Sequence, residues 1–260
     1  MTMLSVLPLP IAMAAAAGLM GCFALMRRMA LASDALAHVA LPGIALALAL
    51  RLNPVLGGLA ALLCGTLLVW ALEHRTHVPT EAVIGVVFSA ALAIGSMLTS
   101  GEELIEALFG EPGSVGVLEN LLGLAAAVLV MSFVWRAKSR LVIALISPDM
   151  ARTAGVNVER LDLHFLLAFA LTVALGLRFL GVLLMGSLII IPAVTARQLA
   201  RGLNGMLVIA AALAIAATLI GLYAGPALHV AAGPATIAVA AMFFFLSLLA
   251  SRLHAHFRLS

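Results

Sequence analysis

Charged residues are scarce in this chain: Asp, Glu, Lys and Arg make up 10% of 260 residues, against 65% hydrophobic ones. That ratio excludes a soluble globular domain and reads as an all-α, polytopic helical membrane protein. Lysine is almost missing, and Lys138 is the only one. It stands between Ala137 and Ser139, so no G-x-x-x-x-G-K-[ST] loop exists and the chain has no such nucleotide site of its own. If nucleotide drives the protein, the engine is a separate polypeptide. Cysteine occurs twice, at Cys22 and Cys64, isolated in apolar segments without C-x-x-C spacing. Both read as packing residues and not as ligands or a disulfide. No H-E-x-x-H occurs, which argues against an intramembrane metallohydrolase. Period-2 alternation is weak and Leu and Ala abound, which argues against an outer-membrane barrel. The pI near 9.5 reflects arginine and a net charge of only +3, without a basic tract, so no nucleic-acid partner is expected.

What is present is a series of uncharged runs, in a chain of mean hydropathy +1.23. They predict membrane segments near residues 5–26, 35–50, 53–72, 82–100, 118–135, 161–177, 179–197, 204–225 and 230–250, close to the ~20 residues a span requires. The count is eight or nine, because only Arg178 and a few neighbours divide the sixth from the seventh. All of it reads as one transmembrane domain over residues 1–260. The first run lacks a positive region before it and is expected to be a membrane helix, not a cleaved signal. Pro42-Gly43 and Pro192 are expected to break the second and seventh segments, as in the discontinuous helices of transporters.

Two loops carry the orientation. Residues 136–160 hold Arg136, Lys138, Arg140, Arg152 and Arg160 against Asp149 and Glu159. Residues 101–119 hold Glu102, Glu103, Glu106, Glu111 and Glu119 and no basic residue. The positive-inside rule places the first loop in the cytoplasm and, by alternation, the second outside. Nine spans then give an external N-terminus; with eight the parity fails.

Asp34 and His38 are the most informative pair. Asp34 is one of three aspartates in the chain, and His38 follows one helical turn later. That spacing puts both side chains on one face. A charge near the bilayer centre costs roughly 2.5 to 3.5 kcal/mol and persists only with a partner or a task. Carboxylate and imidazole together suit a divalent transition metal. The alternative is a structural pair, Asp34 with Arg27, Arg28 or Ser33. Two ligands do not complete a metal site, so a half-site of this kind suggests a symmetric dimer in which each copy supplies both.

A second feature is Ile146-Ser147-Pro148-Asp149-Met150-Ala151-Arg152-Thr153-Ala154-Gly155-Val156. Ser147 resembles an N-cap, Pro148 a first helical residue and Gly155 a C′ stop, which predicts a helix of about two turns in a cytoplasmic loop. Such a helix suits the groove of a partner. The third feature is Gly181 through Ala193, where Gly186 and Ser187 permit close helix approach and Pro192 frees a backbone carbonyl.

At these three places the chain resembles the membrane permeases of bacterial ABC importers for zinc, manganese or iron. Arg28-Met29-Ala30-Leu31-Ala32-Ser33-Asp34-Ala35-Leu36-Ala37-His38-Val39-Ala40-Leu41-Pro42-Gly43-Ile44-Ala45 is similar to the family's R-x-M-A-L-x-x-D-A-I-S-H-A-V-L-P-G-I-A, with Ala37 in place of Ser. Ser147 to Val156 resembles its D-P-E-x-A-x-x-x-G-I, with Ser147 for Asp and Asp149 for Glu, and Gly181 through Arg197 echoes V-G-x-L-L-V-x-x-L-L-I-I-P-A-A-T-A-R. The resemblance implies that Asp34 and His38 coordinate metal along a path between two permeases. It also implies that Ser147, Pro148, Asp149, Met150, Ala151, Arg152 and Gly155 meet the ATPase.

The expectation is therefore a homodimeric permease of the bacterial inner membrane. It catalyses no reaction and holds no permanent cofactor. A divalent metal ion (zinc, manganese or iron) is its substrate. Its partners are a separate ABC ATPase, a metal-binding delivery protein, a second copy and membrane lipid. The rival is a stand-alone ion-coupled secondary transporter, which needs an inverted repeat and further intramembrane acids that the sequence does not show. Other histidines are weaker candidates. His74 and His77 are expected in a solvated loop, His164 at a helix entry, His229 between the last two spans, and His254 and His256 at the C-terminus.

Overall fold

The computed structural model describes residues 7–30, 32–76, 78–98 and 116–257. Among them every regular element is helical: α1 (Pro8–Met26), α2 (Ala32–Ala49), α3 (Pro54–Arg75), α4 (Thr80–Leu98), α5 (Val117–Ile146), the short α6 (Pro148–Thr153), α7 (Val158–Leu199), α8 (Leu203–Ala227) and α9 (Ala232–Phe257). The all-α, membrane-spanning expectation holds, with eight helical stretches long and apolar enough to cross a bilayer. Glu102, Glu103, Glu106, Glu111 and His77 lie outside the described residues. His254 and His256 are described only in their helical backbone.

Local chemistry starts several helices. Asn53 accepts from the Val55 amide and Pro54 follows as the first residue of α3. Asn157 accepts from the Arg160 amide at the head of α7. Each cap satisfies one of the donors a helix start leaves open.

Pro42 does not break α2, contrary to expectation. The helix runs through it to Ala49. A proline inside a helix forfeits one bond and crowds the carbonyl four residues back, here that of His38. Packing offsets that loss, because Gly43 and Gly57 of α3 sit backbone to backbone. A Cβ on either would run into the other's carbonyl oxygen. Small residues allow such approach where lipid supplies no hydrophobic drive. Pro192 is likewise absorbed within α7.

The sixth and seventh predicted spans are one helical run, α7, of 42 residues. A straight helix of that length would reach about 63 Å, twice the hydrocarbon core of a bilayer. Gly176 instead lies directly against the thioether of Met185. Nine residues apart in a straight helix they would be separated by about 13 Å. The run therefore doubles back between a first limb, Val158–Leu177, and a shorter second limb, Met185–Leu199.

The core is built around α1. Met13, Met20 and Phe23 are fully buried there. Gly18 lies on the Ala210 carbonyl of α8 and Gly21 on the Ile189 carbonyl of α7. The buried Cys22 thiol donates to the Gly18 carbonyl at 3.4 Å, so its role is packing.

The helices alternate in direction. The end of α1 meets the start of α7 through Arg27 and Asp162. The Trp70 indole of α3 donates to the Glu159 carbonyl. Lys138 of α5 donates to Asn204 at the start of α8. Ser247 of α9 donates to Gln198 at the end of α7. These contacts gather the end of α1, the end of α3, the start of α4 and the basic 136–160 segment at one end of the bundle. The two limbs of α7 count as two traverses, and the start of α1 then falls at the opposite end. That is the parity of the nine-span reading.

Candidate metal site and the neighbouring short helix

The turn before α2 fixes where its first residues point. Arg28 adopts φ +61, closing α1 in the left-handed region. The Met29 amide returns to the Ala24 carbonyl and the Ala32 amide to that of Met29. Ser33, fully buried, donates its hydroxyl to the Ala30 carbonyl at 2.8 Å and approaches the Gly186 carbonyl at 3.4 Å. Asp34 follows in the first turn of α2, where the helix dipole favours a carboxylate. Its main chain presses on Gly186, where a Cβ would stand 2.8 Å from the Asp34 Cα. The first and third sequence features are thus one packing unit.

The Asp34 side chain is exposed, and its carboxylate has no partner among the described residues. The structural pairing with Arg27 is overturned: Arg27 donates to Asp162 at 2.5 Å instead. Ser33 spends its hydroxyl on backbone carbonyls. One turn along, His38 is half-buried and its Nδ1 lies 2.9 Å from the Asp34 carbonyl oxygen. A carbonyl only accepts, so Nδ1 carries the proton, and in the neutral ring the lone pair sits on Nε2. The Phe88 ring of α4 meets the imidazole edge-on at 5.4 Å. A backbone bond on one ring nitrogen is how proteins orient a metal-ligating histidine through the other.

Among the described residues no three of His, Cys, Asp and Glu come together as a metal site. His164 and His229 therefore do not complete one with Asp34 and His38. His164 bonds the Arg160 carbonyl through Nδ1, and His229 closes α8 at φ +55. His74 is not in a loop: it occupies the last turn of α3, with Nδ1 on the Trp70 carbonyl at 2.8 Å.

The short helix forms as its caps dictate. Ser147 is extended and its hydroxyl accepts from the Met150 amide at 3.3 Å, Pro148 begins the helix, and Gly155 takes φ +79 beyond its end. Asp149 and Arg152 pair at 3.0 Å on the exposed side. Met150 is 64% exposed, whereas Ala151 is fully buried. Ala151 therefore anchors α6 to its own chain, and the outward face is carried by Met150, Asp149 and Arg152. No local pattern signals Phe88 beside His38, nor Asp162 as the partner of Arg27, since both lie far along the chain.

A bundle of helices long and apolar enough to cross a bilayer, with a capped short helix in its basic loop, is the architecture of a multi-pass membrane protein. The chain belongs to the ABC 3 transport family, whose model matches residues 1–251. It is a permease-type subunit, and nucleotide hydrolysis belongs to another polypeptide. It is 30% identical over 237 residues to the manganese import system permease protein ScaB of Streptococcus gordonii, covering 89% of this chain and 84% of that one. It is also 30% identical over 237 residues to the high-affinity zinc uptake system membrane protein ZnuB of Haemophilus influenzae, covering 88% and 90%. Its structure is similar to that of PsaBC from Streptococcus pneumoniae in complex with Fab, with a TM-score of 0.80, 26% identity and coverage of 93% and 89%.

Proposed function

We propose that the chain is the permease of an importer for a divalent transition metal, working as a symmetric pair in the bacterial inner membrane. The observation that carries the reading is the Asp34–His38 pair: an unpartnered carboxylate and an imidazole with a free Nε2, one turn apart on a membrane helix. A permeation site must accept an ion and release it, and a site of few ligands suits that requirement. Two copies related by a two-fold axis bring two carboxylates and two imidazoles to one ion, enough for four-coordinate zinc or, with water, for manganese or iron. The relatives' names support this cargo class, since they speak of manganese and zinc.

The ATPase docks on α6 through residues 147–155, with Met150 as the projecting side chain. A metal-binding protein outside the membrane delivers the ion. The test is uptake of radiolabelled manganese and zinc into proteoliposomes carrying the permease and its cognate ATPase. Asp34→Asn and His38→Ala should each abolish uptake while the complex still assembles, because each change removes two ligands from a shared site. Full uptake by both variants would remove the site from the mechanism.

A further inference from the structure

Between the loop-proximal half of α5 and the first turns of α7 lies a groove of about 770 Å³. Arg136 and Arg140 line it from α5, and Arg160 and His164 from α7, each pair one helical turn apart. No Asp or Glu lines it. None of the three arginines takes part in an ion pair among the described residues. Three guanidinium groups without an ion-pair partner around one concavity make a positive field that attracts an anion. Arginine's planar fork matches phosphate oxygens two at a time.

The rest of the lining settles which anion. Leu129 and Phe133 form the wall toward the apolar body of α5, and Leu129 is 60% exposed on the outer face. The groove thus opens from a basic rim onto the exposed apolar surface of a membrane-type helix. A free phosphate has no use for that wall, whereas a lipid fills rim and wall together. The basic 136–160 segment belongs to the cytoplasmic side by the positive-inside rule, at the level of the inner headgroups. Basic pockets between transmembrane helices on that side are suited to anionic headgroups.

We infer that this groove binds an anionic phospholipid of the inner leaflet. The phosphodiester lies between Arg136, Arg140 and Arg160, and an acyl chain runs along α5 past Phe133 and Leu129. Ala154 and Gly155, at the end of α6, complete the lining. The lipid therefore braces the short helix against α5 and α7. The inference rests on the groove's lining and on the membrane topology, and does not depend on which ion is carried.

The experiment is native mass spectrometry of the permease assembled with its ATPase, in detergent supplemented with phosphatidylglycerol or phosphatidylcholine of identical chains. Phosphatidylglycerol adducts should exceed phosphatidylcholine adducts several-fold. The R136Q/R140Q/R160Q variant should lose the preference, and R136K/R140K/R160K should retain much of it. Equal retention of the two lipids, or an unchanged preference in the glutamine variant, overturns the proposal. Displacement of phosphatidylglycerol by sn-glycerol 3-phosphate at matching concentration assigns the groove to soluble phosphates and also overturns it. A preference seen in the permease alone and abolished by the ATPase assigns the groove to that partner, with the same consequence. Should the glutamine variant not assemble, a photoreactive phosphatidylglycerol on the unaltered complex decides. Labelling of α5 near Leu129 and Phe133 supports the site, and labelling confined to other helices refutes it.

Discussion

Arg27 Nη2 lies 2.5 Å from Asp162 Oδ1, and the same guanidinium sits 4.3 Å over the ring of Phe165. The pair spans 135 positions of sequence and ties the end of α1 to the first turns of α7. It stands between two elements of functional interest. Asp34 begins seven residues after Arg27, and α6 ends nine residues before Asp162. Arg27 and Asp162 also border a charged cavity of about 390 Å³ with Glu73, Glu81 and Pro148. The clamp therefore joins the loop that carries α6 to the turn that sets Asp34.

Asp162→Asn should destabilise the protein by about 2 kcal/mol, since it leaves a mostly buried guanidinium short of its charged partner. Thermal unfolding in detergent measures this. A double-mutant cycle with Arg27→Gln should show that the two losses are not additive. Additive losses would mean that the pair contributes no coupling energy.

The contact between Gly186 and Asp34 makes a second prediction. Gly186→Ala puts a methyl group 2.8 Å from the Asp34 Cα, against main chain that cannot swing aside. Overpacking of this kind costs roughly 1 to 3 kcal/mol. It should also tilt the first turn of α2, so metal uptake should fall more steeply than assembled protein does. Cysteine accessibility at neighbouring positions of α2 reports the tilt. Wild-type uptake and accessibility in Gly186→Ala would show that Asp34 is not set by this contact.

At α6 the useful substitution is at Met150 and not at Ala151. Ala151 is buried in its own chain, so a charge there disrupts folding and says nothing about a partner. Met150→Glu changes only the outward face. If α6 seats in an ATPase groove, this variant should co-purify poorly with the ATPase, or hydrolyse ATP without transport. Its own melting temperature should stay within a degree or two. Undiminished coupled uptake would exclude Met150 from the contact.

Much of the fold was legible because its signals are local. Span positions follow from runs of apolar residues. The α6 caps follow from Ser147, Pro148 and Gly155, whose effects reach only three or four residues. What was not legible depends on tertiary packing. Pro42 reads as a break, yet the contact between Gly43 and Gly57 carries α2 straight through it. Arg178 reads as a boundary between two spans, and the chain does double back between Leu177 and Met185, but nothing local shows that helix continues through the reversal as one run. The spacing of Asp34 and His38 was plain, but not the tautomer. That depends on the Asp34 carbonyl lying within reach of Nδ1.

Whether the metal site belongs to one chain or to two turns on its ligand count. One chain offers Asp34 and His38 and, among the described residues, no third His, Cys, Asp or Glu beside them. The Asp34 side chain is exposed on the isolated chain, as a group that completes its coordination across a two-fold axis must be. Cysteine at position 34 or 38 should therefore cross-link between copies in the assembled transporter. A bifunctional reagent several ångströms long is the right probe, since a direct disulfide requires Cα atoms within about 7 Å. Cys64 is exposed and must first be replaced, while Cys22 is buried in the packing of α1 and can remain. Zinc or manganese should slow the reaction at position 34 in a chain that keeps His38, because the remaining ligands still hold the ion. Absence of any inter-copy product, with the two chains shown to be associated, would place Asp34 and His38 away from the shared axis and leave each chain with an incomplete site.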